Sequence, residues 1–194
     1  MALQGYLASV KAISTGVAMT NEATTATGAS YQITNSAKRI LDLNTPIIVN
    51  DGGTPTTEAY TIDYLNGRVT FGSTASRTIT ITGAYLTPAT IATADTFNFS
   101  ATAEAYENTA FGTQYKSFQA GLISGTATLG RFFVTDSLFI DALLDGEYKI
   151  LEYYVSSGNK ISFYGIITSD NVDATVSSLV REELTFQITN QIGA

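Results

Sequence analysis

The feature that most narrows the fold is a period of two that recurs along the chain. Its longest run is "DTFNFSATAEAY", residues 95–106. Phe97, Phe99, Ala101, Ala103 and Ala105 share one face, and Thr96, Asn98, Ser100, Thr102 and Glu104 share the other. Successive side chains of a strand point to opposite sides, so this alternation predicts a half-buried antiparallel strand. "GYLASVKAIS" alternates from Tyr6 to Ile13, and "RTITITGAY" sets Ile79 and Ile81 against Thr78, Thr80 and Thr82. "YTIDYLNGRVTF", residues 60–71, reads as two short strands folded around Asn66-Gly67. That dipeptide supplies the two left-handed residues of a type I′ hairpin turn.

Toward the C-terminus, "EYKILEYYV", "KISFYGIITSD" and "EELTFQITNQ" read as three more strands, the first two joined by "SSGN". The first two are apolar or aromatic at nearly every position, so both of their faces are expected to be covered. One segment changes period. In "TDSLFIDALLDGEY", Phe139, Ile140, Leu143 and Leu144 recur at helical spacing. Thr135 or Asp136 can cap the start, and Gly146 suits the left-handed position past the end, which predicts one helix near residues 136–145 lying across a sheet. Residues 14–30 are small and polar and read as a long loop or a marginal strand pair. "NTPIIVNDGGTPTTEAY" carries an Asp-Gly-Gly turn signal after Ile47, Ile48 and Val49. No fixed-period repeat, charge block or linker divides the chain, whose 194 residues suit one domain. The fold class expected is all-β with one flanking α-helix, built as an antiparallel sandwich or barrel.

Composition limits the chemistry. With no cysteine there are no disulfides, thiolate metal sites or cysteine nucleophiles. With no histidine, the commonest general base and metal ligand is missing too. The opening residues lack a basic start followed by a long apolar run, so no signal peptide is expected. No stretch approaches membrane-spanning length. The net charge of −7 is uneven: residues 1–90 hold five Lys+Arg and five Asp+Glu, whereas residues 91–194 hold five and twelve. An acidic chain gains nothing from counterion release on DNA, which argues against ordinary DNA binding.

The candidate reactive groups are weak. Asp141 and Asp145 share a helix face, but a glycosidase needs two carboxyls flanking a cleft, and a solvated helix face explains them better. Glu104/Glu107 and Glu182/Glu183 carry no more. Ser157 and Lys160 match Ser-x-x-Lys, but across a hairpin turn instead of a helix start. Asp170, Asn171 and Asp173 resemble part of a calcium loop, yet Thr175 and Arg181 occupy its Gly and acidic positions, so residues 169–175 read as a turn. Asn98-Phe99-Ser100 is a glycosylation sequon in mid-strand. Tyr148, Tyr153, Tyr154, Phe163 and Tyr164 could form a stacking platform, but such platforms for nucleic acid come with a basic groove, and core or interface packing is the simpler account. The inventory supports no enzyme, no cofactor and no metal site.

From Asp95 onward the order of elements resembles the major tail tube proteins of long, flexible-tailed (siphovirus-type) bacteriophages. The resemblance covers residues 95–191. It rests on "AYENTAFGTQYKSFQAGLISGTATLGRFF" (105–133), with its T-x-F-G turn, then a helix and two long strands. It continues through "YGIITSDNVDATVSSLVREELTFQIT" (164–189). The N-terminal half is covered loosely, and residues 14–60 read as a loop-rich insertion in a single tail-tube-like domain spanning 1–194.

The resemblance implies a structural virion protein with a flanked sandwich or barrel. It would form six-fold rings stacked as a hollow tube, through which double-stranded DNA passes during injection. The implied partners are further copies of the chain, a tape measure protein, a tail-tip initiator and a tail terminator. DNA passes transiently and without specificity, and no membrane is involved. The implied location is the virion tail, with assembly in the host cytoplasm. Lumen candidates are Thr96, Asn98, Ser100, Thr102 and Glu104. Inter-ring candidates are Ile47, Ile48, Val49, Asp51, Gly52 and Gly53. The rival readings are a glycan-binding β-sandwich module and a capsid decoration or connector protein.

Overall fold

The computed structural model describes residues 9–12, 16–91, 93–109, 114–133, 138–156, 159–174 and 179–193. Within these the chain is all-β, with one α-helix and antiparallel pairing wherever a register is described. The strands are β1 (Ser9–Ala12), β2 (Val17–Thr27), β3 (Ser30–Ile33), β4 (Ile48–Asp51), β5 (Thr54–Pro55), β6 (Tyr60–Asp63), β7 (Arg68–Phe71), β8 (Ile79–Tyr85), β9 (Ala89–Thr90), β10 (Ala94–Glu107) and β11 (Phe118–Phe132). Helix α1 (Leu138–Asp145) follows, then β12 (Tyr148–Ser156), β13 (Asn159–Asp173) and β14 (Arg181–Gly193).

The chain divides into two compact units. Unit 1 takes residues 1–92, 147–164 and 190–194; unit 2 takes residues 93–146 and 165–189. In unit 1, one ladder runs β5-β4-β8-β2-β3-β7-β6 and another runs β13-β12-β1-β9. The expected alternation fills its core. Ile79 and Ile81 of β8 are buried while Thr80 and Thr82 are half-buried, and Val69 and Phe71 of β7 join Ile33, Tyr31, Met19, Leu41 and Val49. The Tyr31 and Phe71 rings meet edge to face at 5.8 Å. A second cluster gathers Leu65, Leu86, Ile150 and Tyr164. Its phenol donates to the carbonyls of Leu41 (2.7 Å) and Tyr64 (3.1 Å). Lys149 to Glu152 are buried one after another, as expected for a strand covered on both faces.

The polar stretch at residues 14–30 resolves, over its described part, into the strand pair β2-β3, in register from Thr24↔Ile33 to Thr27↔Ser30. The turn of the β6-β7 hairpin differs from the type I′ expectation. Residues 64–67 form a four-residue loop in which Gly67 is left-handed (φ 58°), while Asn66 is not. The wider loop lets Leu65 turn into the core. The Asp63 carboxylate accepts from the Asn66 backbone N–H (3.1 Å) and side-chain amide (2.9 Å).

In unit 2 the ladder runs β10-β11-β14-β13. Its core is Ala127, Leu129, Ile167, Leu184 and Phe186, with Phe139 and Ala142 from α1. Phe139 meets Phe186 edge to face at 6.4 Å. The helix ends before Gly146, whose φ is 65° as its position suggests. The face it buries is narrower than the spacing implies, because Ile140 and Leu144 point outward at 40% and 76% exposure. The capping candidates Thr135 and Asp136, and the turn residues Ser157 and Gly158, lie outside the described residues. The expected turn at residues 169–175 is absent as far as Asp173, because β13 continues through Ser169, Asp170 and Asn171 as a strand.

Candidate functional site

β10 and β11 form the longest hairpin, in register from Ala94↔Arg131 to Glu107↔Phe118. The register slips twice, between Ala94↔Arg131 and Thr96↔Gly130 and again between Ala103↔Ile123 and Ala105↔Ala120. At the second slip two residues of β11, Gly121 and Leu122, oppose the single residue Glu104, which makes a β-bulge. Directly opposed residues share a face, so the pairing sorts the hairpin into two surfaces. One carries Phe97, Phe99, Ala101, Ala103 and Ala105 beside Leu129, Ala127, Gly125, Ile123 and Ala120. The other carries Asn98, Ser100 and Thr102 beside Thr128, Thr126 and Ser124, with Thr102 and Ser124 hydroxyls 3.3 Å apart. Thr96 and Glu104 continue this polar face by alternation, so the five lumen candidates form one exposed row along β10.

At the bulge, a Cβ on Gly121 would lie 2.4 Å from the Tyr106 ring. Only glycine lets that ring lie against the strand. The Tyr106 hydroxyl donates to the Glu104 carboxylate, and that bond raises the phenol's pKa. Near the turn, Lys116 pairs with Glu107 at 3.0 Å, and the Ser117 N–H donates to the Thr109 hydroxyl at 3.0 Å. Of the T-x-F-G turn, Ala110, Phe111 and Gly112 lie outside the described residues.

The two halves of this hairpin differ. β14 pairs with β11 from Thr126↔Gln187 to Phe132↔Arg181, and there Ala127, Leu129 and Arg131 are buried. From Phe118 to Ser124 the pairing is with β10 alone among the described residues, and the side chains are exposed: Phe118 58%, Leu122 78%, Ile123 70%. The face of β10 expected to be buried is half-buried only at Phe97 and Phe99, while Ala101, Ala103 and Ala105 are exposed. The physical reason is that alternation sets which side chains share a face, whereas burial needs a second layer over that face. A two-stranded ribbon alone in water is marginally stable at best.

β10 also ends its ladder. The other ladder-end strands are short: β5 and β9 have two residues each and β6 has four, against fourteen in β10. β5 also carries Pro55. Short edges and edge prolines resist pairing with another chain, whereas a long edge invites it. Charge follows the same division: unit 1 holds seven Lys+Arg and seven Asp+Glu, and unit 2 holds three and ten. The whole net charge of −7 therefore lies in the unit that bears the exposed ribbon.

The remaining candidates are scattered. Val49 is a core residue at 1% exposure and Ile47 packs against that core, whereas Ile48 is 45% exposed. Asp51 is half-buried, and Gly52 and Gly53 are exposed in the left-handed turn of the β4-β5 hairpin. Asp141 and Asp145 are both exposed on α1. Phe163 and Tyr164 are fully buried and Tyr148 is 40% exposed, so the five aromatics form no common platform. Glu182, of the Glu182/Glu183 pair, is 3% exposed and bound to Arg131. Among the described residues no group of three or more acidic side chains is placed to hold a metal ion. No protein-family model and no curated protein matches the chain. Among solved structures it overlaps a chain of "Tail of empty GTA particle computed with helical refinement, C6 symmetry" at 18% identity and TM-score 0.49, over 55% of this chain and 84% of that one. It overlaps a chain of "Virion of native gene transfer agent (GTA) particle" at 19% identity and TM-score 0.49, over 54% and 86%. Overlap at this level assigns no function.

Proposed function

We propose that the chain is a structural subunit of a phage-type tail, assembling with copies of itself into six-fold rings that stack as a hollow tube. The observation that carries this reading is β10, a fourteen-residue strand that ends its ladder among the described residues, on a ribbon whose outer half is exposed on both faces. Closing strands of several subunits into one barrel removes such edges. It would also cover Phe118, Leu122 and Ile123, at about 1.5–3 kcal/mol for each fully buried side chain. The order of elements over residues 95–191 supports the same reading by its resemblance to tail tube proteins. Thr96, Asn98, Ser100, Thr102 and Glu104 are then the lumen face. Their hydroxyl-rich surface and the acidic balance of unit 2 suit the passage of double-stranded DNA, because like charge keeps phosphate from binding. At the ring-to-ring contact, Ile48, Gly52 and Gly53 are the exposed members of the candidate set, with Asp51 half-buried beside them, and deleting residues 51–58 should leave a folded subunit unable to elongate tubes.

Negative-stain electron microscopy of the concentrated protein tests the reading. The expected result is rings or tubes with six-fold end views. Featureless monomers, even after tail-tip initiator complexes are added, would overturn it.

A further inference from the structure

The segment 51–58 of unit 1 runs from the last residue of β4 through β5, and carboxylates stand at both of its ends, Asp51 and Glu58. Between them Gly52, Gly53, Thr54 and Pro55 are exposed. One side chain outside the segment, Arg77 just before β8, reaches both ends. Its Nη1 donates to Asp51 Oδ2 at 3.4 Å, and its Nη2 donates to Glu58 Oε1 at 2.8 Å and lies 2.6 Å from Oε2. The same Nη2 donates to the Ser73 hydroxyl at 3.0 Å. The guanidinium carbon stands 4.6 Å from the centroid of the Phe71 ring, which Tyr31 and Tyr60 meet edge to face, each at 5.8 Å. The cation therefore rests on an aromatic ring that is itself fixed by the core. Backbone bonds continue the hold. The Thr78 N–H donates to Asp51 Oδ1 at 3.2 Å, the Gly52 N–H to the Thr78 carbonyl at 3.0 Å and the Thr56 N–H to the Val49 carbonyl at 2.9 Å. The Arg77 side chain is 11% exposed, yet its Nε is buried without a hydrogen-bond partner among the described residues. An unpaired buried donor costs stability, so this position favours reach over stability. A planar fork of donors bridges two carboxylates seven residues apart, which a lysine's compact ammonium does not.

We propose that Arg77 is a positioning residue for ring stacking: by pinning Asp51 and Glu58 it holds residues 51–58 in the shape that a second copy of the chain docks against. The proposal rests on the stacking role given above to that segment. A loop already in its bound shape pays no ordering entropy when the next ring arrives. That cost would otherwise be high here, because Gly52 and Gly53, at φ of 59° and 90°, have the most backbone freedom to lose. Arg77 touches no second copy itself; it acts through the two carboxylates.

Arg77→Lys keeps the charge and the apolar stem over Phe71 but loses the fork. Amide hydrogen exchange of the full chain, read by NMR, gives the first test. The Thr56 amide should exchange about tenfold faster in the variant, a loosening of ~1.4 kcal/mol, while the amide of buried Ile81 in β8 keeps its rate. Unchanged exchange at Thr56 would mean that Arg77 does not hold the segment. Equal acceleration at Ile81 would mean that it only stabilises the unit as a whole. Either result would overturn the proposal. Should Arg77→Lys not fold, Glu58→Gln puts the same question from the exposed end of the network. Electron micrographs at matched protein concentration give the second test. The variant should form fewer and shorter tubes, and normal tubes built from a loosened segment would overturn the positioning role. An unaltered chain that grows no tubes sinks the stacking reading and this role with it, whatever the exchange rates show.

Discussion

The β6-β7 and β10-β11 hairpins obey the same local rule and end differently. In the first, Val69 and Phe71 are 0% and 3% exposed, and Asp63 and the Gly67 backbone hold the turn. In the second, the base is buried by the same alternation, but its outer half keeps Phe118, Leu122 and Ile123 in water. The difference lies in what covers each strand. β7 has β3 on its other edge and a filled core beneath, whereas β11 beyond Thr126 has only β10 among the described residues. One hairpin is completed within its own unit. The other is a finished local structure with an unfinished surface, the pattern expected where the missing cover comes from another copy.

Truncation should separate the two most sharply. Ile33→Ala, in the core that receives β7, is expected to cost about 2–5 kcal/mol, read by urea denaturation. A loss below about 1 kcal/mol would mean that the core tolerates collapse and would weaken the contrast. Gly67→Ala comes next. Its Cβ would lie 2.7 Å from the Arg39 carbonyl oxygen at a φ of 58°, and the expected loss is about 1–3 kcal/mol. Ile123→Asp inverts the pattern. It should change subunit stability by no more than about 0.5 kcal/mol, yet abolish rings and tubes in electron micrographs. If this variant unfolds the subunit, or assembles normally, the comparison between the hairpins fails.

The smallest effect concerns Tyr154, whose pKa burial, and then its hydrogen bond to Glu152, push up to about 12. The folded state keeps this proton after the unfolded chain, at about 10, has released it. Stability should then decline between about 10 and 12. Tyr154→Phe should flatten that alkaline limb while leaving the curve near neutral pH little changed in shape, as followed by thermal melts against pH.

Much of the architecture was legible in local order. Alternation placed β8, β10 and β14, and the change of period located α1. Gly146 marked the helix end. The opposed faces of β10 could be read residue by residue, because strand geometry ties side-chain direction to sequence parity. The turn at Asn66-Gly67 was read too tightly, since nothing local says that Leu65 will be drawn into a core. The segment 169–175 was read as a turn from its polar residues, whereas strand β13 reaches Asp173.

The sequence alone therefore determined which residues can be strand or helix, which share a face, and that the chain lacks the side chains for cysteine or histidine chemistry. Tertiary structure decided which faces are covered. It put Ile33 in a core and left Ile123 in water, and it made Glu182 the buried partner of Arg131, fifty-one residues away along the chain. Side-chain direction is a local property of φ and ψ, while burial and charge pairing depend on which distant strand comes to lie alongside.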